Sequence, residues 1–128
     1  MEWLTAIRKS IEYIEGHLSY NISAQDVAKQ VYLSSLHFQR GFLIMTGYSV
    51  SEYIRNRKLY LAALDLISTD RKVIDVAYDY GYDTPDSFTK AFTRFHGTTP
   101  MQVKQNGYIK AFLPLSVKVI VQGGDKMD

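Results

Sequence analysis

One short pattern occurs twice in the chain, as FQRGF at residues 38–42, followed by Gly47, and as FTKAF at residues 88–92, followed by Gly97. In each copy the two phenylalanines are four residues apart, which places them on the same face of a helix. The basic residue between them lies about 200° round the helix from the first phenylalanine and points outward. Each copy is therefore predicted to be an amphipathic helix with its aromatic pair in a core.

A small residue precedes each copy of the pattern, Ala28 in the first and Ala77 in the second. We expect these alanines to lie on a short helix and to let it cross the following helix closely. This layout is that of a helix-turn-helix, in which the second helix can lie in the major groove of DNA. Two helical hairpins that pack only for their own stability are the alternative interpretation of this spacing.

Capping residues and apolar periodicity predict seven helices with short connections, and so an all-α fold. The predicted helices cover residues 4–18, 23–31, 34–45, 49–68, 73–80, 84–95 and 99–105. The long fourth helix is expected to turn Ile54, Leu61, Leu64 and Ile67 inward.

Positive charge is concentrated in two segments, although the net charge of the whole chain is only +2. Residues 34–62 hold four basic residues and one acid, and residues 87–124 hold five basic residues and no acid. Residues 65–86 hold six acids and two basic residues. The basic segments contain the helices expected to face a duplex, whose phosphates attract Lys and Arg. Chance segregation of charge on solvated helix faces is the alternative.

The composition argues against several classes of protein. A chain of 128 residues with 46% hydrophobic residues and no cysteine fits one globular domain or two very small ones, without disulfides or thiolate zinc sites. The three histidines lack metal-ligand spacing, and no common catalytic or phosphate-binding motif is present. We therefore expect no enzyme, no metal and no cofactor. The absence of an apolar run of roughly 18–20 residues predicts a soluble, cytoplasmic protein without a membrane partner.

Three stretches resemble the AraC/XylS-type transcription regulators: VAYDYGYD at residues 76–83 with the FTKAF that follows, GTTP at 97–100, and YIRNRKL at 53–59. The resemblance covers roughly residues 5–106. It implies a tandem helix-turn-helix domain within residues 1–107, with a first unit of about 5–48, a linker helix of about 49–68 and a second unit of about 73–106. The recognition helices, about 35–45 and 85–95, would enter adjacent major-groove segments.

The resemblance also implies which residues touch DNA. Base contacts are expected from Ser35, Leu36, Gln39, Arg40, Asp86, Ser87, Thr89 and Lys90. Phosphate contacts are expected from Arg55, Arg57, Thr98 and Thr99. Gln and Arg suit adenine and guanine respectively, whereas Pro85 supplies no donor and Asp86 is repelled by phosphate. A helix-surface ion pair is the alternative for Arg57.

The end of the chain breaks the helical pattern, because residues 112–122 contain alternating apolar and polar residues typical of a β-strand. A lone strand has nothing to pair with in an all-α domain. We therefore expect residues 108–128 to form a strand or extended tail that begins an effector-binding domain truncated in this sequence. An ordinary floppy terminus is the alternative.

These observations favour the sequence-specific DNA-binding domain of a bacterial-type transcription regulator, expected to be an activator. Its expected partners are double-stranded DNA, RNA polymerase and a small-molecule effector held by the missing domain. A helical interaction module that contacts the transcription machinery through residues 65–86, without specific DNA binding, is the alternative. A hydrolase with unrecognised chemistry is a weaker one.

Overall fold

The computed structural model describes residues 2–115, and every regular element within them is an α-helix. The seven helices are α1 (Trp3–Gly16), α2 (Ala24–Gln30), α3 (Ser35–Thr46), α4 (Val50–Ser68), α5 (Val73–Asp79), α6 (Pro85–His96) and α7 (Pro100–Asn106). The all-α prediction is therefore confirmed, and the helix ends lie within two residues of those expected.

Side-chain hydroxyls and glycines set the helix ends as the sequence predicts. Ser34, Thr84 and Thr99 each accept a hydrogen bond from the backbone N–H three residues further on. These bonds satisfy donors that the first turn of a helix leaves unpaired. The recognition helices end at Gly47 and Gly97, whose φ angles of 81° and 76° are left-handed. Glycine adopts this conformation without steric cost.

Among the described residues, the first of two compact units contains 2–54 and 113–115. Its core holds Phe38 and Phe42 of α3, whose ring centroids are 5.8 Å apart. Tyr53 closes this aromatic group, with its ring 5.8 Å from that of Phe42. The core also contains the buried stripe of α1 and the buried residues of α2: Ala6, Ile7, Ile11, Ile14, Val27 and Ala28. The inward orientation predicted for the phenylalanine pair is confirmed in this unit.

The second compact unit contains residues 55–112. Phe88 and Phe92 of α6 are fully buried, with ring centroids 5.4 Å apart, as the repeat predicts. Around them lie small and branched side chains from α4, α5 and α7: Leu59, Ala62, Ala63, Leu66, Val76, Ala77 and Val103. Each unit therefore has an aromatic pair at the centre of its own core.

The inward face expected for α4 is partly wrong. Ile54 is buried, but Leu64 and Ile67 are exposed, and the buried positions in the second half of α4 are Leu59, Ala62, Ala63 and Leu66. Both sets have helical spacing, so periodicity alone does not choose between them. The structure buries the face that contains two alanines, and these side chains lie in the core of the second unit with Phe88 and Phe92.

Residues 108–115 follow α7 without helix or strand. Leu115 N–H donates to Tyr53 Oη at 3.0 Å in the first unit. In the second unit, Lys110 N–H donates to His96 Nδ1 at 3.0 Å. Of the strand expected at residues 112–122, the first four residues are not a strand, and the rest lies outside the described residues.

Candidate nucleic-acid interface

A tight turn joins the two helices of each helix-turn-helix. In the first unit Leu33 N–H donates to the carbonyl of Ala28 at 3.3 Å, and in the second Tyr82 N–H donates to the carbonyl of Ala77 at 3.0 Å. Both alanines are buried, so the helices of each unit cross where the side chain is smallest. The matching bonds show that the sequence repeat is also a structural repeat.

The outward face of α3 carries the base-contact candidates of the first unit. Leu36, Gln39 and Arg40 are exposed, and Ser35 is half-buried. Gln39 Nε2 donates to Ser35 Oγ at 2.9 Å, which holds the Gln39 side chain along the helix. Among the described residues, Arg40 has neither a hydrogen-bond partner nor an ion-pair partner. Its guanidinium is thus available for contact with another molecule.

The outward face of α6 carries the candidates of the second unit. Asp86, Ser87 and Lys90 are exposed, and Thr89 is half-buried. Lys90 Nζ lies 3.1 Å from Asp86 Oδ2, so these two residues form an ion pair across one turn of the helix. Such an exposed pair is worth only about 0.3–0.5 kcal/mol, so an incoming base or phosphate can open it. Sequence reasoning omitted the exposed Arg94, which follows Lys90 by four residues and therefore lies on the same face.

The phosphate-contact candidates lie on α4 and at the start of α7. Arg55 is exposed on α4. Thr98 Oγ1 and Thr99 N–H both donate to Gln102 Oε1, at 2.8 and 2.9 Å. The two threonines therefore take part in the cap of α7, and the Thr98 hydroxyl is already used in it.

The phosphate contact expected of Arg57 is wrong. Arg57 is only 4% exposed, and its Nη1 donates to the carbonyl of Phe112. Its guanidinium carbon also lies 5.8 Å from the ring centre of Tyr60. A buried guanidinium cannot reach a phosphate, so Arg57 instead fastens the segment after α7 to α4. No local pattern signals this role, because the partner carbonyl is 55 residues away along the chain.

Sequence reasoning also missed the role of His96, the buried last residue of α6. His96 Nε2 lies 2.9 Å from the carbonyl of Leu59, and Nδ1 lies 3.0 Å from the N–H of Lys110. Since a carbonyl only accepts and an N–H only donates, the ring is neutral with its proton on Nε2. Burial lowers the pKa of His96, and the charge of Lys110 lowers it further. His96 therefore positions two segments of the second unit.

Internal contacts also occupy part of the acidic segment, residues 65–86. Tyr80 Oη donates to Asp65 Oδ2 at 2.7 Å, and Arg71 forms an ion pair with Asp79. Burial of Tyr80 and its bond to Asp65 raise the pKa of this phenol. These contacts tie the end of α4 to α5 and the loop before it. Several of the acids counted in the sequence thus have structural partners.

Residues 2–115 contain no cluster of His, Cys, Asp and Glu side chains that could hold a metal ion. Within the same residues, no helix combines the length and the apolarity that crossing a membrane requires. Two units of this geometry define the class of the protein, a tandem helix-turn-helix.

Comparisons with known proteins agree with this class. A family described as a helix-turn-helix domain matches residues 27–106. Regulatory protein SoxS of Salmonella typhimurium is 37% identical over 94 residues, which are 73% of this chain and 88% of SoxS. Transcriptional regulator Rob of the same organism is 34% identical over 112 residues, which are 88% of this chain and 39% of Rob. The chain thus spans little more than a third of the length of Rob.

Among solved structures, the DNA-binding domain of AdpA, a global transcriptional factor in complex with a target DNA, has a similar fold. The TM-score is 0.72 at 22% identity, over 78% of this chain and 90% of the AdpA chain. The structural likeness shows the fold, and the sequence matches give the family. It belongs to the AraC/XylS-type family of transcription regulators, as the sequence motifs indicate, and is a DNA-binding domain of that family.

Proposed function

We propose that the chain reads DNA by inserting α3 and α6 into adjacent major-groove segments of one operator. The observation that carries the proposal is the repeated arrangement of a buried phenylalanine pair beneath an outward face that holds a basic residue. This arrangement leaves Arg40 and Lys90 exposed at equivalent positions of the repeat. AdpA was solved with a target DNA, which supports the same use of the fold here.

The two faces differ in the chemistry that they offer to bases. Arg40 suits guanine, Gln39 suits adenine, and Leu36 suits the methyl group of thymine, so α3 is assigned most of the sequence readout. We assign Ser35 to the same site as the residue that orients Gln39. In α6, Asp86 can accept a bond from cytosine, while Ser87, Thr89 and Lys90 line the same outward side.

Phosphate contacts are assigned to residues beside the recognition helices. Arg55 is exposed on α4, and Thr98 and Thr99 stand at the N-terminus of α7, where a phosphate oxygen would replace Gln102 Oε1 as the acceptor of their hydrogen bonds. Arg94 on α6 is added to this group, and Arg57 is left out because it is buried. These contacts supply affinity and position the protein without reading sequence.

The remaining assignments concern the whole protein. We propose domain limits of residues 1–107 for DNA binding and 108–128 for a separate tail, of which the residues after 115 lie outside the described part of the chain. We further propose a non-catalytic, cytoplasmic activator that contacts RNA polymerase and responds to a small-molecule effector. The relation to SoxS and Rob, which are named as regulators, supports this role.

The test combines selection of bound sequences from a random duplex pool with the variant Arg40→Ala. We expect a recovered consensus and a loss of about 1–3 kcal/mol at one base position, because a single bidentate contact disappears. Arg8→Ala is the matched control, since Arg8 is exposed on α1 of the same unit. An equal loss on every sequence would move Arg40 to the phosphate contacts. A pool without enrichment would overturn the proposed function.

A further inference from the structure

A cleft of about 370 Å³ opens beside the recognition helix of the first unit, between α1 and α3. This volume lies in the range of small-molecule sites, roughly 300–1,000 Å³. Six residues line it: Trp3, His37, Arg40, Gly41, Ile44 and Met45. None of them is an acid.

The floor of the cleft is apolar and depends on a glycine. A Cβ atom at Gly41 would lie 2.1 Å from the Trp3 indole, so only glycine lets this ring rest against the backbone of α3. The Trp3 and His37 ring centroids are 5.2 Å apart. Ile44 lines the outer side of the cleft and is 82% exposed, so its side chain is available to a ligand.

The rim of the cleft is cationic. Arg40 lines it, and within residues 2–115 no acid forms an ion pair with its guanidinium. An apolar floor beside one guanidinium complements an organic anion that has an apolar body and a single carboxylate, because arginine binds carboxylates in bidentate fashion. The same guanidinium is the proposed guanine contact of α3.

We infer that the cleft binds a small amphipathic monocarboxylate, with its apolar group between Trp3 and Ile44 and its carboxylate on Arg40. A carboxylate bound in the cleft occupies the guanidinium that would read a base, so the ligand would regulate DNA binding. This regulation rests on the proposed function. Ligand and operator therefore compete for Arg40, and each weakens the binding of the other to the same extent.

The first experiment uses Trp3 as the reporter, since it is the only tryptophan of the chain. The full chain is titrated with 4-phenylbutyrate and with its neutral analogue 4-phenylbutyramide while tryptophan emission is followed. We expect a saturable change with the acid and at least about tenfold weaker binding of the amide, because only the acid forms a charge-assisted bond with Arg40. A linear response, or equal binding of acid and amide, would overturn the site.

Two variants separate the apolar wall from the charge. Ile44→Ser should weaken the binding of the acid about tenfold, whereas Ile74→Ser, which changes another exposed isoleucine, should leave it intact. Arg40→Gln should bind acid and amide equally, whereas Arg94→Gln should keep the preference for the acid. Circular dichroism of all four variants checks that they are folded. A preference for the acid that persists in Arg40→Gln contradicts the assignment of the carboxylate.

The second experiment tests whether a ligand in the cleft weakens the binding of the chain to its operator. Saturating 4-phenylbutyrate should weaken operator binding by the wild type, and Ile44→Ser should need about tenfold more of the acid for the same effect. If the chain binds no DNA but Trp3 still reports saturable binding of the acid, the proposed function fails and the site stands. If DNA binding is intact and insensitive to the acid in the wild type, the competition fails and the proposed function stands.

Discussion

Two residues at equivalent places in the repeat show how the same turn is made with different side chains. The left-handed residue of the turn is Gly81 in the second unit, with φ of 87°, and Tyr32 in the first, with φ of 58°. This conformation is unfavourable by about 1–2 kcal/mol for a residue with a Cβ atom, whereas glycine adopts it almost without steric cost. Tyr32 is 87% exposed, so packing of its side chain does not offset the unfavourable backbone conformation.

This difference predicts opposite effects of exchanging the two residues. Gly81→Ala should lower the free energy of unfolding by about 1–2 kcal/mol, and Tyr32→Gly should raise it by up to about 1 kcal/mol. Urea unfolding measures both. Gly16→Ala, at a helical glycine with no left-handed φ and open space around it, is the control and should not destabilise. A destabilised Tyr32→Gly variant would show that Tyr32 makes a contribution beyond its turn.

At the scale of elements, His96 connects α6 with α4 and with the segment after α7, through Leu59 and Lys110. Burial lowers the pKa of His96 from its ordinary value of 6.5. Below that pH the unfolded chain binds a proton that the folded chain resists, so protonation favours unfolding. The stability contributed by neutral His96 is therefore present above pH 6.5 and falls as the pH drops, until the folded protein also takes up the proton.

We expect the free energy of unfolding to fall between about pH 7.5 and about pH 5.5, with a slope of at most about 1.4 kcal/mol per pH unit for one proton. His96→Gln should remove most of this slope, because glutamine does not titrate. His37→Gln is the matched control, since His37 is exposed on α3. Urea midpoints at the two pH values measure the effect. Equal slopes in the wild type and His96→Gln would assign the pH dependence to other groups.

The helix α4 shows which features of an element its own sequence specifies. Its extent follows from Ser49, whose Oγ accepts the Glu52 N–H at 3.1 Å, and from the polar residues after Ser68. The face that it buries does not follow, because Leu64 and Ile67 have the same periodicity as Leu59 and Leu66. The buried face is selected by packing in the core of the second unit, to which α5, α6 and α7 also contribute.

On the scale of the whole molecule, each unit has its own aromatic core. Phe92 is fully buried in the second unit and Phe42 in the first. Removing a buried phenyl ring costs about 3–5 kcal/mol, through lost burial and the cavity left behind. A loss in one core is expected to act first on the helices that form it.

Phe92→Ala should therefore destabilise the second unit by about 3–5 kcal/mol and leave the first unit folded. Hydrogen exchange should show lost protection in α5, α6 and α7 and retained protection in α1, α2 and α3. Phe92→Leu keeps most of the volume and should cost less than about 1.5 kcal/mol. Simultaneous loss of protection in all seven helices would show that the two cores unfold as one.

Local sequence determined the all-α fold, the helix ends, the repeated aromatic pairs and the family. These depend on caps, glycines and spacing within a few residues, where short-range sterics and hydrogen bonds dominate. The tertiary structure alone decided that Arg57 is buried against Phe112, that His96 joins Leu59 to Lys110, and that Trp3 rests on Gly41. These contacts join residues between 14 and 55 positions apart, and only the packed chain brings them together.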